Sequence, residues 1–153
     1  MKKTSSVPTE DLLYIFGEGK YYHAYQVFGA HIEESGVRFT VWAPSVKSVS
    51  VIGDWNGWKG RKGSCLDGGD YLEPLGSSGV WAGLLQGPEK GMCYKFLIET
   101  PKGKLLYKAD PYAIYSQRRP ETASVIWDLK YEWQDQQWME RRRRKDHFKE
   151  PLN

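Results

Sequence analysis

The sequence predicts a mainly β chain: an antiparallel, immunoglobulin-like β-sandwich with a short helix before it and another after it. Three observations carry this. Seven or so short runs of strand character lie between Gly29 and residue 130, several with period-two alternation. Turn-forming clusters of Gly, Pro, Asn and Ser separate them at the spacing expected of sandwich strands. The 153 residues suit one domain with enough length to build a core.

Residues 1–8 read as a loose tail. In PTEDLLYIFGEG, Thr9 can cap a helix whose first turn carries Glu10 and Asp11, which suits the helix dipole. Leu12, Leu13, Ile15 and Phe16 supply its apolar face, and Gly17 is placed to end it. The aromatic segment YYHAYQVFG reads as a turn or two packed on something larger. Residues 1–28 are thus an N-terminal tail and short helical segment.

From Gly29 the period changes to two. GAHIEESGVRFTVWAP reads as strand, turn, strand, with Gly36 at the turn and Val37, Phe39 and Val41 on one face. Pro44 stops that strand, and SVSVIGDWN is the next, with Val49 and Val51 sharing a face. Residues 59–79 are rich in Gly, Ser and charge and read as loop, with one short strand at YLEPL. GVWAGLL is a strand, and CYKFLIETPKGKLLYKAD is a hairpin turning around Pro101–Gly103. DPYAIYSQRRPETAS is a long irregular connection, SVIWDL a last strand, and Asp135 can cap a helix through QQWMERRRR. The sandwich therefore occupies residues 29–130, and 131–153 are a C-terminal helix and linker.

The composition bounds the function. A net charge of +3 and a pI near 8.8 are too mild to indicate nucleic acid. The run RRRRK at 141–145 reads as a solvated helix end, where positive charge complements the dipole. MKKTSSVPTED has no apolar run behind its lysines, and no later segment is long and apolar enough to span a bilayer. The expectation is a soluble, cytoplasmic protein, with Cys65 and Cys93 reduced and no membrane or nucleic-acid partner.

Catalytic constellations are missing from the pattern. His23, His31 and His147 lie far apart, and there is no nucleophile elbow, phosphate loop or zinc-binding pair. No catalytic residue, metal or cofactor is assigned, and an enzyme made of this chain alone is not expected. Aromatics reach 14% of residues, a level shared by many β-domains and by sugar-binding surfaces. In the turn GDWNGWKG, two tryptophans sit among turn formers. A flat indole or phenol ring can cover the C–H face of a sugar, while Lys, Ser or Thr hydrogen-bonds its hydroxyl rim. Trp58 lies in such a loop, and Lys95 and Tyr107 lie on the predicted hairpin. Trp42, Trp81 and Trp127 fall on predicted strands and read as core or sheet-face residues.

The chain resembles the N-terminal region of bacterial 1,4-α-glucan (glycogen) branching enzymes. The matching stretches run in order: AYQVFGAH at 24–31, GVRFTVWAPSVKSVSVIGDWNGW at 36–58, GVW at 79–81, YKF at 94–96, KADPYA at 108–113, RPETASVIWDL at 119–129 and EPLN at 150–153. VWAP and GDxNxW occur in other α-glucan-acting enzymes, whereas the combination with YKADPYA, RPxTASxxWD and EPLN is far more specific to branching enzymes. The resemblance implies a family forty-eight carbohydrate-binding module with a β-sandwich fold. It also implies that EPLN leads into a catalytic (β/α)-barrel of α-amylase type, which carries the catalytic carboxylates. The expectation is therefore a fragment or truncated product of a branching enzyme.

The chain is also similar to the glycogen-binding domain of the AMP-activated protein kinase β subunit. That likeness implies five carbohydrate-binding residues: Trp58, Lys95, Tyr107 in place of a tryptophan, and Thr122 and Ser124 near the last loop. Trp55 stands where the family usually has Phe, which implies burial. The implied partners are α-1,4-glucan (glycogen or maltooligosaccharides) and the enzyme's own barrel. Trp133 and Trp138 read as docking residues, onto the sandwich or onto that barrel, and the segment 112–127 as facing the barrel. The alternative reading is a structural domain that clamps the barrel without binding sugar.

Overall fold

The computed structural model describes residues 8–59 and 70–144. The expected tail through residue 7, the loop from 60 to 69 with Cys65, Lys145, His147 and the EPLN stretch lie outside the described residues.

The chain begins with α1, Glu10–Gly17, capped as the sequence predicts: the Thr9 side chain accepts the Leu12 N–H at 3.3 Å. A single 3-10 turn, Ala24–Gln26, follows. The strands are β1 (Gly29–Glu33), β2 (Gly36–Trp42), β3 (Ser48–Gly53), β4 (Glu73–Pro74), β5 (Val80–Leu85), β6 (Cys93–Glu99), β7 (Leu105–Lys108), β8 (Tyr115–Ser116) and β9 (Ser124–Val125). The last helix, α2, spans Gln136–Arg144 and starts directly after Asp135.

These strands form two antiparallel sheets. The first has the order β1-β2-β5-β4. The second has the order β3-β6-β9-β8, with β7 also on β6. β7 pairs with Phe96–Glu99 of β6, and β9 pairs with Cys93 and Tyr94. The two strands therefore share one edge of β6 end to end, and Lys95 falls at the break between them. This is the immunoglobulin-like sandwich that the period-two runs predict.

The core lies between the sheets. Val37, Phe39 and Val41 from the first sheet meet Val49, Val51, Tyr94 and Phe96 from the second. All are buried, and each such side chain contributes roughly 1.5–3 kcal/mol through its removal from water. Phe39 stacks near Trp55 and meets Tyr94 edge-on, with centroids 6.0 and 5.1 Å apart.

The two outer faces differ. On the first sheet, Ala24, Val27, Phe28 and Val80 form a second buried cluster, with Leu12, Leu13 and Phe16 of α1 packed against it. The N-terminal helical segment thus covers that face. The outer face of the second sheet combines buried Ile52 and Leu97 with exposed aromatic side chains such as Tyr107 and Tyr115. Four of the five binding residues expected from the sequence lie on that side.

Candidate carbohydrate-binding face

The turn after β3 separates its two tryptophans. Asp54–Asn56 form a 3-10 turn, pinned by Asn56: its Oδ1 accepts the Gly53 N–H at 2.9 Å and its Nδ2 donates to the Val51 carbonyl at 3.0 Å. Trp55 turns inward against the core, and its Nε1–H donates to Asp70 Oδ2 at 2.9 Å. Gly57 and then Trp58 adopt left-handed backbone, with φ of +62° and +60°. That conformation is unusual for a side chain as large as Trp. It reverses the chain so that the Trp58 N–H donates to the Gly53 carbonyl at 3.0 Å and the ring points outward, 38% exposed.

Asp54 holds that ring. Its Oδ1 accepts the Trp58 Nε1–H at 2.9 Å, and its Oδ2 accepts the Cys93 N–H at 2.7 Å. One carboxylate therefore ties the indole to the first residue of β6. The same carboxylate adds to the effect of burial in raising the Cys93 thiol pKa above its ordinary value. Reasoning from sequence missed Asp54. The signal that points to it is the D of GDWN, four residues before the outward Trp.

Register places the next two residues. In β6, Tyr94 and Phe96 face the core, so Cys93, Lys95 and Leu97 face out. Leu97 pairs with Tyr107 of β7, which makes Tyr107 and Lys95 diagonal neighbours on the outer face. Tyr107 is 59% exposed. At the break between β7 and β9, the Lys95 Nζ reaches Thr122 Oγ1 and donates to it at 2.8 Å. Four of the five expected residues, Trp58, Lys95, Tyr107 and Thr122, thus lie on one side of the sheet.

Ser124 does not join them. β9 pairs it with Tyr94, on the core side of the sheet, and it is only 1% exposed. Its hydroxyl accepts the Asp110 N–H at 2.9 Å. Asp110 in turn accepts from the Tyr94 hydroxyl at 2.5 Å and from the Tyr112 N–H at 2.8 Å. Ser124 is part of a buried polar hub, and the hydroxyl that the outer face offers at this end is that of Thr122.

Chemically, these four residues present two accessible rings, one cation and one hydroxyl. Rings of this kind can stack on the C–H face of a sugar, and Lys and Thr can bind its rim. A family model described as carbohydrate-binding module 48, the isoamylase N-terminal domain, matches residues 27–113. The chain belongs to this family.

Relatives of the module place it more narrowly. It is 41% identical over 150 residues to the 1,4-alpha-glucan branching enzyme GlgB of Bacillus caldolyticus, covering 95% of this chain and 22% of that protein. Against GlgB of Oleidesulfovibrio alaskensis it is 44% identical over 137 residues, covering 86% and 20%. The chain thus spans about a fifth of the length of the curated relatives it matches. Among solved structures it resembles PulA from Klebsiella oxytoca, with TM-score 0.52 and 26% identity, covering 67% of this module and 10% of that chain. It also resembles Klebsiella pneumoniae pullulanase complexed with maltotriose, with TM-score 0.51 and 25% identity, covering 67% and 10%.

Proposed function

We propose that this module is the N-terminal glucan-binding domain of a cytoplasmic glycogen branching enzyme. It holds α-1,4-glucan, as glycogen or maltooligosaccharide, on the outer face of its second sheet and performs no bond-making chemistry of its own. Trp58 is the sugar platform, Tyr107 a second ring further along the same face, and Lys95 and Thr122 bind hydroxyls. The enzyme that carries the module would cut an α-1,4 bond and re-form it as α-1,6 on carboxylates of a separate (β/α)-barrel. The branching-enzyme assignment draws on the GlgB likeness across most of the chain.

The observation that carries the binding reading is the outward Trp58 ring. A left-handed backbone turns it out, and a dedicated carboxylate holds it. The test is titration of maltoheptaose against wild type and Trp58→Ala. Loss of binding in the variant supports the platform, and equal binding by both removes Trp58 from the site.

A second reading has its own observation. Leu129, Tyr131, Trp133 and Trp138 are all exposed near the C-terminal helix. An apolar set of that kind suits a clamp onto a catalytic domain. In that reading sugar binding is absent and the aromatic residues serve docking alone.

A further inference from the structure

The outer face of the second sheet carries another pair of rings that the four residues above leave unused. Tyr115 and Trp127 stand with centroids 5.5 Å apart, tilted by 48°. Tyr115 is 55% exposed and Trp127 39%. The pairing fixes where they sit. β8 sets Tyr115 opposite Val125, and β9 sets Val125 opposite Cys93. Cross-strand partners share a face, so Tyr115, Val125 and Cys93 form one row across three strands. Cys93 is the residue whose N–H binds Asp54, and Asp54 holds the Trp58 ring. Adjacent strands are about 4.8 Å apart, so the backbone of Tyr115 stands about 10 Å across the sheet from that anchor.

The two rings have different parts. Lys90 Nζ lies 4.5 Å from the Trp127 centroid and occupies one of its faces. Lys90 also donates to Asp128 Oδ1 at 2.6 Å. Trp127 is thereby fixed and braces Tyr115, whose ring stays open. Lys90 and Asp128 both reach solvent, and together they offer donors and acceptors beside the ring. Their charges are already paired with each other, which favours a neutral ligand over a charged one.

We infer that Tyr115 is a second sugar platform, braced by Trp127 and rimmed by Lys90 and Asp128, which takes the far end of an α-glucan whose near end lies at Trp58. The inference rests on the reading of this face as a glucan site and adds a length preference to it. Between the platforms Val125 is buried and the Cys93 thiol is hydrogen-bonded by the Gln117 side chain, so a glucan joining the two rings passes over Gln117 rather than over a third ring. A chain of a few glucose units spans the gap, and a short one engages only the Trp58 end.

The test compares maltotriose with maltoheptaose by calorimetric titration. Tyr115→Ala is expected to weaken maltoheptaose about three- to tenfold and to leave maltotriose unchanged. Tyr115→Phe, which keeps the flat ring, retains the wild-type difference between the two sugars. Labelled wild-type protein supplies a check that needs no variant: maltoheptaose shifts the Trp127 indole resonance and maltotriose does not. Equal loss of both sugars in Tyr115→Ala, no loss of either, or an unmoved Trp127 resonance overturns the inference. If Trp58→Ala abolishes binding while Tyr115 is silent, the inference alone fails, and the second pair of rings is left to a docked domain. If wild type binds neither sugar, the glucan reading fails and takes this inference with it.

Discussion

The Asp54 carboxylate accepts the indole N–H of Trp58 at 2.9 Å while its other oxygen binds the backbone of Cys93. The ring is therefore oriented by the strand that also carries Lys95. Removing the carboxylate frees the indole to rotate. Asp54→Ala is expected to weaken maltoheptaose binding about three- to tenfold, and Asp54→Asn, which keeps one acceptor oxygen, falls between it and wild type. The Trp58 indole proton resonance reports the cause directly, since it moves upfield when its hydrogen bond is lost. An unmoved resonance in Asp54→Ala would show that packing, not the carboxylate, sets the ring.

Trp58 itself sits in left-handed backbone, which costs a non-glycine residue roughly 1 kcal/mol. Trp58→Gly and Trp58→Ala both remove the platform, so neither binds glucan measurably. They should differ in stability: the Gly variant is more stable than the Ala variant by about 0.5–1 kcal/mol in urea unfolding. The opposite order would mean that the turn relaxes out of this conformation once the ring is gone.

Gly53 joins the core to the site at close quarters. A β-carbon there would fall well inside van der Waals contact with the Trp55 ring and with the Cys93 carbonyl. Neither can give way easily, because Trp55 is packed on Phe39 and Cys93 belongs to β6. Gly53→Ala is expected to cost roughly 2–4 kcal/mol of folding stability and to disturb Trp58 as well. Denaturant unfolding measures the first effect and sugar titration the second. A loss below about 1 kcal/mol would contradict the tight packing.

The buried hub gives the fold a pH signature. Burial raises the Asp110 carboxyl pKa above its ordinary 3.8, and hydrogen bonds from Tyr94 and the Tyr112 N–H, with the charge of His31, oppose this only in part. Burial, then the nearby Asp110, pushes the Tyr94 phenol far above its usual range. The folded chain thus holds the Asp110 proton more tightly than the unfolded chain does. The stability this provides is fully present below the unfolded value and is lost as pH rises through the raised folded value. Asp110→Asn stays neutral throughout. Unfolding measured from about pH 4 to about pH 8 should show wild type losing ground to the variant as pH rises across that window. A constant difference would place the shift elsewhere.

The strands were legible where their pattern is local. VRFTVW and the CYKFLIE–LLYK hairpin announce β2, β6 and β7 through alternation and turn residues. The two-residue strands are harder. β8 lies inside a segment that reads as irregular, because its pairing comes from β9 and not from its own composition. SVIWDL contributes only Ser124 and Val125 to the sheet. A one-residue change of parity there decides whether Ser124 faces core or solvent, and the sequence does not fix that parity. Asp54 was missed for a related reason: one of its two partners is 39 residues away. Trp55 and Trp58 were separable through the resemblance, which sets Trp55 against a buried Phe, and the structure shows Asn56 and Gly57 reversing the chain between them.

The break on the edge of β6 has an evolutionary consequence. Tyr107 is carried by a strand whose register is locked over four residue pairs, so it can change identity but scarcely position. Thr122 arrives from the long excursion between β7 and β9, whose span the ladder does not dictate. Insertions or deletions in that excursion could retune which hydroxyl meets the lysine without refolding either sheet. The ring and the hydroxyl can therefore diversify independently, one by substitution and the other by changes in loop length.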